Sequence, residues 1–286
     1  MHFSKFPKRI EIELSSACNL SCTYCPRHYV DSLKGLMDYD LFKSLIEEIK
    51  AYPNTILVLH RRGESLLHPD FCDMMKMVIG KFKNVQLATN ATLLDKKKAD
   101  AIINAVSFLS FSIDTPQGFD KRRPPAKYEK VIHNIEMFLE MNKSYGSPVK
   151  TQVSMVKTDD AVDAEISRFE KIWRGKVDRV RIYEEHSVDG KFGSLKQKRV
   201  QRKPCVMPFY EMLIYCDGKT GRCNHDWNGK PIGDVSKKKI LEIWQSGSYQ
   251  KLREQQKCLA ITDPVCITCD SWYPEEGIQG TGKVVE

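Results

Sequence analysis

The chain has 286 residues, of which 41% are hydrophobic and 29% charged, with a formal net charge of +8. This composition is that of a globular protein with a sizeable core, and no apolar run approaches the roughly 20 residues that a membrane span requires. The basic residues are spread along the sequence and the N-terminus lacks an apolar signal segment, so we expect a cytoplasmic protein that binds neither membranes nor nucleic acid.

Strand and helix patterns alternate through the first two thirds of the sequence. Six strands are predicted from their apolar residues, at 9–15, 55–59, 85–89, 108–113, 149–156 and 177–183. Five helices are predicted between them, at 39–49, 69–82, 95–105, 128–141 and 161–173. Such alternation predicts an α/β fold with a parallel sheet. Six units give a partial (β/α)6 TIM-like barrel, with active residues at the carboxyl ends of the strands.

The last third of the sequence departs from this pattern. Residues 1–190 are assigned to the barrel, and residues 191–204, rich in Lys and Arg, are predicted to be a linker. Residues 205–286 form a small Cys-rich C-terminal domain. In it, a hairpin is predicted over 212–223 with its turn at Asp217-Gly218, and a helix over 240–255.

The ten cysteines fall mainly into one group near each end of the sequence. In a reducing compartment, clustered cysteines indicate metal or redox chemistry more often than disulfides. The first group is Cys18, Cys22 and Cys25, with the spacing C-x3-C-x2-C directly after the first predicted strand. Three thiolates on one short loop can hold three irons of a four-iron cluster and leave the fourth iron open. A zinc site completed by His28 is the alternative.

This loop resembles the signature of the radical S-adenosylmethionine (SAM) enzymes, including the aromatic Tyr24 before the last cysteine. Three further segments at predicted strand ends resemble motifs of that family. Residues 62–65 are similar to Gly-Gly-Glu-Pro, residues 88–90 to the start of Thr-Asn-Gly, and residues 112–114 to the segment near the SAM ribose. The sequence departs from these motifs at Arg62, Ser65 and Ala91.

The resemblance implies that Cys18, Cys22 and Cys25 hold a 4Fe-4S cluster at which SAM binds. It also implies a set of SAM-binding residues, namely Tyr24, Gly63, Glu64, Asn90, Ser112 and Asp114. In the family, the reduced cluster passes one electron to SAM, and a 5′-deoxyadenosyl radical then removes a hydrogen atom from the substrate. A one-electron reductant such as flavodoxin or ferredoxin is therefore an expected partner.

A second site is predicted from the late cysteines, namely Cys205, Cys223, Cys266 and Cys269. Four such thiolates suit either zinc or an iron–sulfur cluster. Their spacing, with Asp217-Gly218 and Ile243-Trp244 between them, resembles the twitch or SPASM domain of some radical SAM enzymes. That resemblance implies an auxiliary 4Fe-4S cluster.

In size and cysteine spacing the chain resembles the aminocyclitol dehydrogenase and sugar epimerase members of the family. This implies hydrogen abstraction from a small polar, carbohydrate-like or aminocyclitol-like substrate, with net oxidation or epimerisation. Peptide or protein modification is the alternative enzyme class. A metal-binding scaffold without catalysis is the alternative of a different kind.

Several polar residues at the predicted barrel mouth are candidates for substrate contact, namely His60, Arg61, Glu184, Glu185 and His186. Such groups bind hydroxyls or act as a base, and a purely structural pair or a solvent-facing role suits them equally. Cys216 is either a small buried thiol or a hydrogen-atom donor that would give epimerisation. Of these residues, we take Cys216, His186 and Glu184 as the candidate catalytic residues.

Overall fold

The computed structural model describes residues 4–30, 35–158, 163–185, 202–227, 230–269 and 283–285. Its strands are β1 (Arg9–Ile12), β2 (Ile56–Val58), β3 (Val85–Thr89), β4 (Phe108–Ser112), β5 (Lys150–Lys157), β6 (Arg179–Glu184), β7 (Glu211–Ile214), β8 (Lys219–Gly221), β9 (Gly233–Asp234) and β10 (Lys283–Val285). Its α-helices are α1 (Tyr39–Ile49), α2 (Phe71–Val78), α3 (Lys96–Ala105), α4 (Pro116–Arg122), α5 (Tyr128–Ser144), α6 (Asp163–Trp173), α7 (Met207–Tyr210), α8 (Ile240–Trp244), α9 (Gly247–Cys258) and α10 (Pro264–Thr268). Within those ranges, every helix is too short or too polar to cross a membrane.

The strands form a single sheet in the order β10-β6-β5-β4-β3-β2-β1-β7-β8-β9. Strands β1 to β6 are parallel neighbours in chain order, which confirms the predicted α/β fold and its partial barrel. On the other side of β1, strand β7 pairs in parallel, with Arg9 opposite Glu211. Strands β8 and β9 continue the sheet in antiparallel fashion. The Cys-rich region therefore extends the barrel sheet.

Most predicted elements are present, and their caps explain where they begin. Helix α1 occupies the predicted residues because the Asp38 carboxylate accepts a hydrogen bond from Leu41 N at 2.8 Å. The single helix predicted over 240–255 is wrong, because the chain becomes extended at Ser246, which is the N-cap of α9. Helix α4, which begins two residues after Asp114, was not predicted.

The two faces of the barrel sheet differ in polarity. One face packs with the helices in the hydrophobic core and carries Ile10, Ile12, Leu87, Leu109, Val153 and Val180. Successive side chains of a strand point to opposite faces, so the other face carries the alternate residues. This second face, called here the inner face, has two rows of neighbouring polar residues, namely Ser110 with Gln152 and Arg179, and Ser112 with Ser154 and Arg181. In a further row, Glu11 and Gln86 lie on either side of Val58.

Candidate active site

The first three cysteines lie on the loop that follows β1. Backbone hydrogen bonds fasten this loop to the segment after α4, since Ser21 N donates to Pro124 O at 2.7 Å and Thr23 N to Arg122 O at 2.9 Å. Burial raises the pKa of the Cys22 thiol to about 11; the guanidinium of Arg123 opposes the rise, and the Cys25 and Cys18 thiols add to it. The three thiols are thus close enough to interact. Metal coordination removes the thiol proton.

All ten cysteines are thiols and none forms a disulfide. Three converging thiols on one loop are the donor set that a four-iron cluster with one open iron needs. His28, the fourth ligand of the alternative zinc site, instead uses its Nε2 to donate to the Cys22 carbonyl oxygen at 3.0 Å. Within the described ranges, no three His, Cys, Asp or Glu side chains are arranged so that they could bind one metal ion.

Gly63 lies where the loop after β2 meets the cysteine loop. A β-carbon on this residue would lie 2.2 Å from Ala17 O and 2.4 Å from Ser15 O, both backbone atoms. The next residue fixes the approach, since Glu64 N donates to Ala17 O at 2.8 Å. Glycine is therefore required here by the close contact between two loops.

We expect Gly63→Ala to lower the iron content of the first site and to weaken SAM binding at least tenfold. The added methyl group must push the cysteine loop away from its position, and overpacking of this kind costs about 1–3 kcal/mol. Iron analysis and SAM titration of the reconstituted protein measure both effects. Gly247→Ala is the matched control, because a β-carbon there meets no atom within 4 Å. Normal iron and SAM binding in Gly63→Ala would contradict this account of the loop contact.

The Glu64 carboxylate joins the ends of β2 and β3. It is buried and accepts hydrogen bonds from Thr89 Oγ1 at 2.8 Å, Asn90 N at 2.8 Å and Leu66 N at 3.1 Å. Burial raises the pKa of Glu64, and these hydrogen bonds oppose the rise. The Asn90 amide in turn lies 3.7 Å from Cys18 Sγ. Cys18, Glu64 and Asn90, which are all predicted to contact the cluster or SAM, are therefore linked by hydrogen bonds.

Asp114 is the centre of a second buried group beside the cysteines. Its Oδ2 accepts hydrogen bonds from Arg123 Nε at 2.7 Å and from the Tyr24 hydroxyl at 3.2 Å. Its Oδ1 is buried and has no hydrogen-bond partner among the residues that the structure describes. An unsatisfied buried oxygen indicates a missing donor, and a ligand hydroxyl would supply one. Ser112, also predicted to bind SAM, ends β4 two residues earlier.

Arg123 was not found from the sequence. Its buried guanidinium acts on the Cys22 and Cys25 thiols and is neutralised by Asp114. The one signal for it was the Arg122-Arg123-Pro124-Pro125 run, where two basic residues precede two prolines. Such a run is ordinarily interpreted as an exposed loop, whereas both arginines are buried here.

The four late cysteines converge in the C-terminal region. Cys205 precedes α7, Cys223 follows β8, and Cys266 and Cys269 lie on and just after α10. Burial raises the pKa of Cys223 well above its usual range, and Glu211, Cys205, Cys269 and Cys266 add to the rise. The four thiols that the sequence grouped are thus close enough to interact electrostatically, although within the described residues no three of them enclose a position for a single metal ion.

Arg222 links the segment around Cys223 to the helix that carries Cys266. Its guanidinium donates to Asp226 at 2.9 Å and to Asp263 at 2.7 Å. Asp263 is also the N-cap of α10 and accepts hydrogen bonds from Val265 N and Cys266 N. The strand that leads to Cys223 and the helix that carries Cys266 are therefore held by one arginine.

Two arginines connect the barrel to the C-terminal region. Arg62 forms an ion pair with the buried Glu13 at 2.7 Å and donates to Trp227 O at 3.4 Å. Arg61 donates to Asp226 O at 3.1 Å and stacks on the Trp227 ring. Arg62 is the residue that replaces the first glycine of the family motif, and its side chain links the two cysteine-bearing parts of the chain.

The remaining candidates differ in their surroundings. Burial lowers the pKa of His60 to about 3, and its buried Nδ1 has no hydrogen-bond partner within the described ranges. Cys216 is buried in the hydrophobic core, with its Sγ 3.5 Å from Ser16 Oγ. Glu185 follows the end of β6 and is half-buried. The side chain of Glu184 and all of His186 lie outside the described residues.

Two family descriptions match the chain. Residues 12–166, more than half of the chain, match the radical SAM superfamily. Residues 205–270 match SPASM, an iron–sulfur cluster-binding domain, and contain the four late cysteines. Among curated proteins, the tungsten-containing aldehyde ferredoxin oxidoreductase cofactor-modifying protein of Pyrococcus furiosus is 31% identical over 109 residues, which cover 37% of this chain and 31% of that protein. The chain spans 31% and 52% of the lengths of the first two curated relatives.

Solved structures share the fold. BtrN in complex with AdoMet (SAM) and 2-DOIA is 18% identical, with a TM-score of 0.58 over 88% of this chain and 87% of that one. Streptococcus suis SuiB bound to its precursor peptide SuiA is 15% identical, with a TM-score of 0.70 over 90% of this chain and 70% of that one. At such identities the likeness concerns the fold alone.

Proposed function

Because the chain belongs to the radical SAM superfamily and carries a SPASM domain, we propose that it oxidises a hydroxyl-bearing small molecule of the carbohydrate or aminocyclitol kind. Its cofactors are SAM with a 4Fe-4S cluster, and an auxiliary 4Fe-4S cluster. Bound SAM and its cluster supply a radical that removes a hydrogen atom from the substrate. Enzymes of this superfamily require a reductant, and flavodoxin or ferredoxin is the proposed one.

The ligand assignments belong to this proposal. Cys18, Cys22 and Cys25 hold the first cluster, and the group of four late cysteines holds the auxiliary cluster. Glu64 and Asn90, which are linked by a hydrogen bond, and the neighbouring Gly63 orient the amino-acid part of SAM. The buried Asp114 Oδ1, which has no donor among the described residues, receives a ribose hydroxyl. Tyr24 and Ser112 complete the set of residues proposed to contact SAM.

The polar residues on the inner face of the barrel support the proposal of a small polar substrate. The rows of serine, glutamine and arginine on this face place donors and acceptors beside the apolar Val58, Ala88 and Phe108. Near the carboxyl ends of β1 and β2, two buried polar atoms have no hydrogen-bond partner within the described ranges, namely Glu11 Oε2 and His60 Nδ1. Arg61 Nε, also without a hydrogen bond, lies 3.7 Å from Glu11 Oε1 in a buried ion pair. A ligand with several hydroxyls would satisfy such atoms.

Glu11 is the group best suited to hold a proton in this subsite. Burial raises its pKa to about 7, Arg61 opposes the rise, and Glu211 adds to it. A carboxylate with a pKa near neutrality is a good acceptor for the proton of a substrate hydroxyl. Glu184 and His186, the catalytic candidates from the sequence, remain proposed as further polar groups at the end of β6.

The surroundings of Cys216 favour oxidation over epimerisation. Cys216 lies in the turn just after β7 and packs in the same hydrophobic core as Met212 and Ile214. A thiol enclosed in this core, with 4% of its surface exposed, is poorly placed to meet a substrate on the inner face. A hydrogen-atom donor for an inverted carbon would have to reach the substrate, so we assign Cys216 a packing role.

A substrate screen scored by 5′-deoxyadenosine tests the proposed substrate class. We expect reconstituted protein with reductant to form 5′-deoxyadenosine with a polyol, sugar or aminocyclitol, and to convert one hydroxyl to a carbonyl. Peptides are included in the screen, because the fold is also that of SuiB, a protein solved with its precursor peptide. Turnover of a peptide and of no polyol would favour peptide modification and reject our proposal.

We expect Cys216→Ala to leave the product unchanged and turnover within about threefold of wild type. The substitution removes one buried sulfur from the core, which costs about 1 kcal/mol of stability, and removes no group that touches the substrate. Turnover in deuterated water is the measurement, and wild-type product is expected to contain no carbon-bound deuterium from solvent. Solvent deuterium in an inverted wild-type product, with loss of inversion in the mutant, would instead establish Cys216 as the donor for epimerisation.

A further inference from the structure

Gln256, on helix α9, contacts Cys205, the first of the four late cysteines. It is almost fully buried, with 1% of its surface exposed. Its Oε1 accepts a hydrogen bond from the backbone N of Cys205 at 3.0 Å, so the orientation of the amide is fixed by a donor that must face an oxygen. The Nε2 of the same amide is buried and has no hydrogen-bond partner among the described residues.

The position of this nitrogen follows from that of the oxygen. Both are bonded to one carbon, and the oxygen contacts the backbone of Cys205, whose thiol is grouped with Cys223 and Cys266. Two N–H donors are therefore buried close to the backbone of Cys205 with no acceptor among the described residues. A buried amide without an acceptor destabilises the protein, because it has lost its hydrogen bonds to water without replacing them. Sulfur atoms of an iron–sulfur cluster would be acceptors at this place.

We propose that Gln256 donates an N–H hydrogen bond to a sulfur of the auxiliary cluster and thereby raises its reduction potential. Reduction adds negative charge to the cluster, and an N–H donor at a sulfur stabilises the more negative state. Gln256 is then a positioning and tuning residue rather than a catalytic one. The inference rests on the proposed ligand set Cys205, Cys223, Cys266 and Cys269, and is independent of the substrate.

The test is a redox titration of the reconstituted full chain followed by electron paramagnetic resonance. Gln256→Met keeps the length of the side chain and removes both donors. We expect the auxiliary cluster of this variant to have a lower midpoint potential than wild type, with unchanged iron content. The cluster whose signal changes on addition of SAM serves as the internal reference, and its potential is expected to stay the same. Gln250→Met, on the exposed side of α9, is the matched control and is expected to shift neither cluster.

A second variant covers the case in which Gln256→Met loses iron. Gln256→Asn keeps an uncharged amide but shortens the side chain by one carbon, which withdraws its N–H donors from the cluster. It is expected to lower the auxiliary potential with the iron retained. An unchanged potential in an iron-replete variant, or an equal shift of both clusters, would overturn the proposal. Wild-type protein with iron at the SAM-binding site alone would instead contradict the ligand assignment.

Discussion

Replacing Cys18, Cys22 and Cys25 by alanine is expected to abolish reductive cleavage of SAM and to leave about half of the iron. Two four-iron clusters correspond to roughly eight irons per chain, of which the first site accounts for about four. Without the thiolates, no iron remains at the end of β1 to bind SAM. Iron and sulfide analysis after anaerobic reconstitution, together with chromatography of 5′-deoxyadenosine, measures the result.

Cys258→Ala is the control for this experiment, because Cys258 is exposed and donates only to backbone carbonyl oxygens of its own helix, including Glu254 O at 3.0 Å. It should keep full iron and full activity. A triple mutant that retains about eight irons and cleaves SAM at the wild-type rate would reject the ligand assignment for the first site.

Replacing Cys266 and Cys269 by alanine is expected to lower the iron content by about half while SAM cleavage continues. The two residues belong to the second group of thiols, and the loop after β1 that carries the first group has its own contacts with Gly63 and Pro124. Loss of two of four thiolates is sufficient to prevent assembly of the auxiliary cluster. Product formation from the substrate should be lost, because we propose that the auxiliary cluster accepts the electron that remains on the substrate after the hydrogen atom and the hydroxyl proton have left.

The measurements are iron analysis, zinc analysis and separate assays for SAM cleavage and substrate oxidation. Cys258→Ala again controls for the loss of a late cysteine. Detection of about one zinc and about four irons in the unmodified protein would show that the late cysteines form a zinc site. Loss of SAM cleavage in the double mutant would show that the first site depends on the second.

Local signals in the sequence were sufficient to predict the barrel and the two groups of cysteines. Asp38 and Asp95 fix the beginnings of α1 and α3 through their own side chains, so those boundaries could be predicted. The break between α8 and α9 could not, because Ser246 and Gly247 do not exclude a continuous helix strongly enough.

Contacts between distant parts of the chain could not be found in the same way. Strand β7 pairs with β1 across about two hundred residues of sequence, and no local pattern specifies the partner of a short apolar strand. The same holds for Arg123, whose role depends on meeting Asp114 and the cysteine loop in space. The inner-face position of Glu11 was available from strand alternation, but its unsatisfied oxygen depends on the neighbours that the fold supplies.

The pairing of β7 with β1 makes the barrel sheet depend on the C-terminal region for one of its edges. If residues beyond 204 were removed, the hydrogen-bonding groups of β1 on that side would lose their partner strand. The barrel would then present an unpaired strand edge, which is a template for aggregation. The C-terminal region therefore protects the β1 edge of the barrel sheet, in addition to carrying the late cysteines. A shortened chain would be a poor starting point for crystallisation, and in evolution a deletion of the second site would carry a solubility defect besides any loss of chemistry.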